Sequence, residues 1–410
     1  MEAAIRARIV CVATLAVAAC DARACSGGGA GGSGSASSAP SPTASSASSG
    51  PATASASNVV DAPAGDSAAG SMLAAARAVI DDEEKARAKA SADPTGFAWD
   101  LFVYVNWPAL TGQRGVPDAS QPFGADAPVV WATWKIVDDV YLAGGAKPDG
   151  WASGDPNAVP TLTDLQIDGT VLKDRLGNPV VYEERMNQGA FEYITSRTLY
   201  SFAGQTAARS STAPPVAFPE PSMEIKASWR VLDAEADKDV IGHYLTKRVR
   251  YKGNVLFVGL TGLHVTSKAL PSWFWATFEQ VDDARTTNAS LVLPIAPEVA
   301  ASNDAMHTAF AGTRWQYYSL DGTQTAFVDS AQAPTLLANS QIETGFQRSS
   351  SCITCHALAS IGPSSNPRFN FFQLKPGGMA GFVGAPPTAP FSAGGEFRTL
   401  DAVWSLRRAQ

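Results

Sequence analysis

The chain has 410 residues, 45% of them hydrophobic and 17% charged, and a formal net charge of −7. This acidic balance, with no run of basic residues, speaks against nucleic acid as a partner. Beyond the N-terminal segment there is no apolar stretch of about eighteen residues or more, so no membrane-spanning helix is expected there.

At the N-terminus, Arg6 and Arg8 precede an apolar run from Ile9 to Ala19, the pattern of a secretory signal peptide over residues 1–19. The run closes in Val17-Ala18-Ala19-Cys20, which resembles the lipobox of bacterial lipoproteins. That resemblance implies cleavage before Cys20 and a lipid on its thiol. An ordinary signal peptide cut near Ala19 or Ala24 is the alternative, and Cys11 is lost either way. Residues 20–70 are almost wholly Gly, Ser, Ala, Pro and Thr, with little to bury. Such a segment is a flexible tether with a reach of roughly 35–40 Å. The expected location is the periplasm of a Gram-negative bacterium, with the membrane touched through a lipid anchor only.

Residues 71–410 are expected to form the globular region, of α+β class. Helical spacing of Met72, Ala75, Val79 and Ile80 predicts a helix from Ser71 to about Ser91. Asp93-Pro94 is a good helix start, and the aromatic-dense helix it opens should end before Pro108, its aromatics serving the core. Between about 110 and 222 the pattern is broken by Pro and Gly, with short pieces such as Val129–Val137 and a helix from Asn187 to Tyr200.

From Met223 to Val231 apolar and polar residues alternate strictly, predicting a strand with one wet face. Leu245–Tyr251 and the run from Val255 towards Val265 flank Lys252-Gly253-Asn254, which reads as a hairpin. Trp273–Glu279 follows as a fourth strand. The expectation is an antiparallel meander over about 222–281 with flanking helices. Glu298–Phe310 should be helical and Arg314–Tyr318 extended. A helix from Gln341 to Ala359, stopped by Pro363, should carry the segment 341–362.

That segment contains Cys352-Ile-Thr-Cys355-His356, a C-x-x-C-H, which is the attachment signature of c-type haem. Two thiols spaced by one helical turn meet the two vinyl groups on one porphyrin edge, and the adjacent histidine reaches the iron as proximal ligand. A zinc half-site or a redox dithiol are the alternatives, but a zinc site needs four ligands and no second such motif is present. One covalent haem c is therefore the expected cofactor.

A small helical cytochrome c carries this motif near its start, whereas here it follows a long β-rich region. Asn106-Trp107-Pro108-Ala109, Glu224–Trp229, Gly262-Leu263-His264-Val265, Trp273–Glu279 and the C-x-x-C-H together resemble a group of large bacterial cytochrome c family proteins without an established reaction. In that pattern the glutamate is commonly followed by histidine; this chain has Gln280. Phe218-Pro219-Glu220 followed by Lys226 is also similar, over a short motif, to β-sheet cytochromes of the c-prime-beta type and their lysine-cross-linked relatives. That similarity implies a cross-linking role for Lys226, against the plainer reading of a solvated lysine.

The sixth iron ligand separates carrier from reactor. Met379, in a Gly-Gly-Met-Ala turn, is one candidate. His264 is the other, expected on the same strand face as Leu256, Val258 and Leu260; it is a distal ligand, a proton donor or a core histidine. His307 is a weaker option and His243 is expected to be exposed. Glu279 is expected to be a solvated strand-end carboxylate, or else to gate protons or orient His264. Trp273 and Trp275 either wall the haem or pack in the core. The leading function is electron transfer with a redox partner protein. The alternative is a haem enzyme or small-ligand binder acting on peroxide, nitric oxide or a nitrogen compound.

Overall fold

The computed structural model describes residues 67–410 apart from 168–169, 174–176, 211, 284–291, 366, 370–382 and 393. The signal segment, Cys20, most of the tether and Met379 lie outside the described residues.

Three helices open the fold: α1 (Ser67–Ile80), α2 (Glu83–Ala92) and α3 (Pro94–Val105). The single helix expected over 71–91 is two, because the Asp82 carboxylate accepts the Lys85 N–H at 3.1 Å and starts a second helix. Asp93 caps α3 in the same way, accepting the Gly96 N–H at 2.9 Å with Pro94 just inside. The α3 aromatics do serve the core. Phe102 lies 4.5 Å from Phe278 and Phe97 lies 4.8 Å from Phe274, ring centre to ring centre.

The strands are β1 (Lys135–Ile136), β2 (Thr163–Asp164), β3 (Gln166–Ile167), β4 (Thr170–Val171), β5 (Val181–Met186), β6 (Met223–Val231), β7 (Thr246–Tyr251), β8 (Asn254–Ser267), β9 (Phe274–Gln280), β10 (Tyr318–Gln324), β11 (Ser360–Ile361) and β12 (Arg398–Thr399). Helices α4 (Gln188–Ser196), α5 (Phe202–Ala208), α6 (Pro297–Ala309) and α7 (Cys352–Ala357) complete the regular elements. An eight-stranded antiparallel sheet runs β1-β5-β6-β8-β9-β10, with β2 also on β5 and β7 also on β8. The α+β class and antiparallel core are as read from the sequence. The sheet reaches further than the four-stranded meander, through β5 with β1 and β2 on one side and β10 on the other. Arg314–Tyr317, expected to be extended, is instead a 3-10 turn leading into β10.

Strand β8 organises the sheet. Val258 and Gly259 pair with both β6 and β7, so those two strands lie on opposite edges of β8, with β9 continuing the β7 edge. Lys252 and Gly253, at φ 46° and 82°, make the two-residue turn joining β7 to β8. Opposite β6 the pairing jumps from Leu260–Trp229 to Gly262–Ser228, leaving Thr261 as a bulge residue. A bulge inverts the alternation beyond it. Val258 and Leu260 before it, and Leu263 and Val265 after it, therefore all enter the same core with α3.

This overturns two expectations. His264 does not share a face with Leu260; the bulge turns it to the other side. The polar face of β6, with Glu224, Lys226 and Ser228, is not wet either. Chain from Asn339 onward covers it, so Ser228 is fully buried and Lys226 half-buried. A second core sits on this side, containing Trp273, Trp275, Leu337, Ile353, Leu400 and Val403.

Candidate functional site

The covering segment is pinned to the sheet by a buried asparagine. Asn339 donates through Nδ2 to Thr277 Oγ1 and to the Phe278 carbonyl, both at 2.9 Å. Its Oδ1 accepts the N–H groups of Gln341 and Ile342. The approach needs a glycine beneath it, since a Cβ on Gly262 would fall 2.6 Å from Asn339 Oδ1. Fixed in this way, the turn delivers Glu343 to the sheet. Its Oε2 accepts the Asn339 N–H at 2.7 Å and its Oε1 lies 3.0 Å from His264 Nε2.

The chain then enters α7. Gln324, at the end of β10, holds its start: Oε1 accepts the Ile353 N–H at 3.0 Å while Nε2 donates to Ser351 Oγ at 2.7 Å. The helix is shorter than the sequence suggests, one and a half turns rather than the whole of 341–359. It still suffices to put Cys352 and Cys355 one turn apart. Both thiols are free, and both are only half-buried. Burial raises the Cys352 thiol well above its ordinary value and pushes Cys355 up to about 12, so both stay protonated.

The C-terminal residues close over this turn. Trp404 Nε1 donates to the Cys355 carbonyl at 2.8 Å, and β12 pairs with β11 just beyond the motif. His356 Nδ1 lies 2.9 Å from the Ala402 carbonyl. A carbonyl can only accept, so Nδ1 carries the proton. Burial lowers the pKa of His356 to about 3, with the Ala402 contact opposing and Lys226 and His264 adding to the fall. The imidazole is thus neutral, with its Nε2 lone pair uncommitted by this contact. That is the tautomer a proximal iron ligand requires, held by the kind of carbonyl partner such ligands use. Ala402 and its neighbour Asp401 both have positive φ, 65° and 50°, which turns the carbonyl towards the imidazole. The Asp401 carboxylate is anchored in turn by Lys268 Nζ at 2.7 Å and the Phe218 N–H at 2.7 Å.

Trp275 packs against His356 with ring centres 4.4 Å apart, and so walls the motif. Trp273 is buried in the same core but packs on Phe218 at 5.7 Å. On the sheet, Lys226, His264 and Thr277 form one row across β6, β8 and β9. Burial would raise the Glu343 carboxylate, but His264, Lys226 and the Asn339 N–H outweigh it and hold it below the usual range. This face therefore presents a polar cluster, the His264–Glu343 contact with Lys226 in register, beside the C-x-x-C-H.

Among the described residues no three His, Cys, Asp or Glu side chains converge to hold a metal ion on their own. The donor set fits a haem instead: two thiols on one turn, one oriented imidazole, and a porphyrin to supply the remaining ligands.

The other candidates fall elsewhere. His307 bonds to the Tyr318 carbonyl and Ser319, both at 3.1 Å, on α6. His243, expected to be exposed, is half-buried, stacked on Tyr317 and 2.7 Å from Asp282. Glu279 is neither solvated nor bonded to His264; it is buried and accepts the Ser340 N–H and hydroxyl. The partner of His264 is Glu343, which sequence reasoning misses. Its position upstream of Cys352 carries no motif; Gly259 and Gly262 inside a strand are the signal for the bulge that decides its neighbour.

No family model matches the chain, and no curated protein or solved structure matches it either.

Proposed function

We propose that this chain is a monohaem c-type cytochrome that exchanges electrons with a redox partner protein, exported and held to the membrane by a lipid at Cys20. The observation that carries this reading is the set of Cys352 and Cys355 on one helical turn beside His356, whose Nδ1 is bound by the Ala402 carbonyl. Bound there, haem would supply a one-electron iron couple. The protein supplies attachment through the two thiols, an oriented imidazole, and a wall from Trp275. Ile353, Leu358 and Leu400, almost fully buried, anchor the motif against the core.

A second reading is favoured by one specific observation. His264 Nε2 is committed to Glu343, and Lys226 bears on the same face. A carrier has little use for buried charges near its haem, whereas a small-ligand or redox enzyme can use a histidine–carboxylate pair to hold and release a proton. In this reading His264 is a proton-handling group rather than an iron ligand.

Absorption spectra of oxidised and reduced protein, with and without CO, separate the two. The carrier reading expects a six-coordinate low-spin haem that takes up CO poorly and becomes high-spin in His264→Ala or Met379→Ala. A high-spin wild type that binds CO at once would overturn it in favour of the second reading.

A further inference from the structure

Residues 341–410 carry six Lys and Arg against three Asp and Glu, whereas the whole chain carries 31 against 38. The segment that holds the C-x-x-C-H is thus basic on an acidic protein. Of its three acids, Glu343 is bonded to His264 and Asp401 to Lys268 Nζ, which leaves Glu396 exposed.

The cations gather around Trp404, where the chain closes over the motif. The Trp404 Nε1–H is bonded to the Cys355 carbonyl, and its half-buried ring packs with Leu358 and Phe397. The exposed Arg407 guanidinium lies over that ring, 4.7 Å from its centre. Arg368 is near enough to feel Arg407: burial lowers its pKa to about 10, Arg407 adding to the fall and Tyr141 opposing. It donates to Gln205 Oε1 at 2.7 Å and to the Leu406 carbonyl at 3.1 Å. Arg209 Nε donates to the Glu396 carbonyl at 3.1 Å, and Arg398 Nη1 to the Ser392 carbonyl at 3.3 Å. Glu396 and Arg398 flank Phe397, so these two cations border the same apolar cluster. Among the described residues none of Arg209, Arg368 and Arg398 is paired with a carboxylate. Guanidiniums held by neutral oxygens keep their full charge for whatever lies opposite.

We propose that this face docks an acidic redox partner protein, with Trp404 and Arg407 at the centre of the contact and Arg209 and Arg398 at its rim. The inference rests on the cytochrome reading and adds the chemistry of the partner. Tryptophan and arginine are enriched at the centres of protein interfaces, where lysine is depleted. Every Lys or Arg described in 341–410 is an arginine. An anionic membrane surface is the other occupant a basic face could meet. It is recognised by a continuous cluster of about four to eight basic residues, which this segment lacks. With a net charge of −7 the chain as a whole repels an acidic protein, so attraction has to come from the local patch.

Stopped-flow oxidation of the reduced, haem-loaded full chain reads the sign of this local charge, with ferricyanide as anionic probe and tris(phenanthroline)cobalt(III) as cationic probe. Each takes one electron from ferrous haem, leaving ferric haem and ferrocyanide or the cobalt(II) complex. The ferricyanide rate should fall, and the cobalt rate rise, as ionic strength goes from about 0.01 M to about 0.15 M. The net charge acting alone would give the opposite pair of slopes. Arg407→Glu should slow ferricyanide about fivefold at low salt, whereas Arg248→Glu, the same change on exposed β7, should not. Calorimetric titration with short poly-L-glutamate reads docking without electron transfer: wild type should bind it, and Arg407→Glu should bind it about tenfold more weakly. Phosphatidylglycerol vesicles should not retain the Cys20→Ala chain. A ferricyanide rate that rises with salt, equal effects of the two arginine variants, poly-L-glutamate binding that ignores Arg407→Glu, or vesicle retention that Arg407→Glu abolishes would overturn the proposal. A chain that carries no haem would instead remove the cytochrome reading, and the poly-L-glutamate titration would still decide whether the face attracts an acidic chain.

Discussion

Replacing Glu183 by glutamine keeps the shape of the side chain and removes the one buried carboxylate shared by Arg185 and Lys247. The side chains of the three groups are 0%, 6% and 18% exposed, so little water can take over the lost charge. Breaking a buried ion pair from one side costs about 3–5 kcal/mol, because the remaining charge is stranded. Two cations are stranded here, but they respond differently. Arg185 cannot deprotonate, whereas Lys247, already lowered to about 8 by its burial, would fall further and shed its proton near neutrality. The cost should therefore be greatest in mild acid, at about 4 kcal/mol near pH 6. It should shrink by about 1–3 kcal/mol as pH rises to 8, where wild type loses the same proton, and stay level above that. Urea unfolding followed by circular dichroism at pH 6 and pH 9 reads both numbers. Adding Lys247→Met to the variant removes one stranded cation and should recover part of the loss at pH 6. A cost below about 1 kcal/mol at pH 6, or one that grows with pH, would show that Glu183 does not hold the two cations in this way.

Glu224, half-buried and accepting the Ser405 hydroxyl, is pushed up to about 8 by its loss of solvation, the Ser405 hydroxyl opposing and Glu184 adding. Its folded-state pKa lies above the ordinary value, so its stabilising effect is complete below about pH 4.5 and is lost as pH rises through 8. Glu224→Gln should remove a decline of a few kcal/mol between pH 5 and pH 9, seen as a flatter profile of urea midpoints. Gly262→Ala should cost about 1–3 kcal/mol, because the new methyl meets Asn339 Oδ1 at 2.6 Å and Ser228 Oγ at 2.8 Å. Hydrogen exchange of residues 339–343 should rise in the same variant; unchanged protection there would show that Asn339 does not pin the turn.

Much of the scaffold is legible in the sequence. Asp93-Pro94 marks the start of α3, the β6 alternation marks its two faces, and Lys252-Gly253 marks the turn into β8, because each signal is local chemistry. The site is legible only in part. Cys352, Cys355 and His356 are near neighbours in the chain, so their geometry follows from one helical turn. Strict alternation carried through Thr261, where the strand bulges, puts His264 on the wrong face. The polar side of β6 reads as wet because nothing local shows that residues from Asn339 onward fold back over it. Glu343 and the Ala402 carbonyl escape notice for the same reason: each meets its partner over a long sequence separation, and backbone carbonyls carry no residue-type signal. Composition favours a helix over 341–359, but side-chain bonds from Gln324 and Asn339 hold most of that stretch as turns.

Thioether bonds from Cys352 and Cys355 to one haem, as proposed, can be tested directly. Expressed in a host that matures c-type cytochromes, then denatured and extracted with acidified organic solvent, the wild-type chain should keep a mass increment of one haem and a reduced pyridine spectrum shifted from that of free haem. The double variant Cys352→Ala/Cys355→Ala should lose both. A wild-type chain that emerges with no retained haem would rule out covalent attachment at these cysteines.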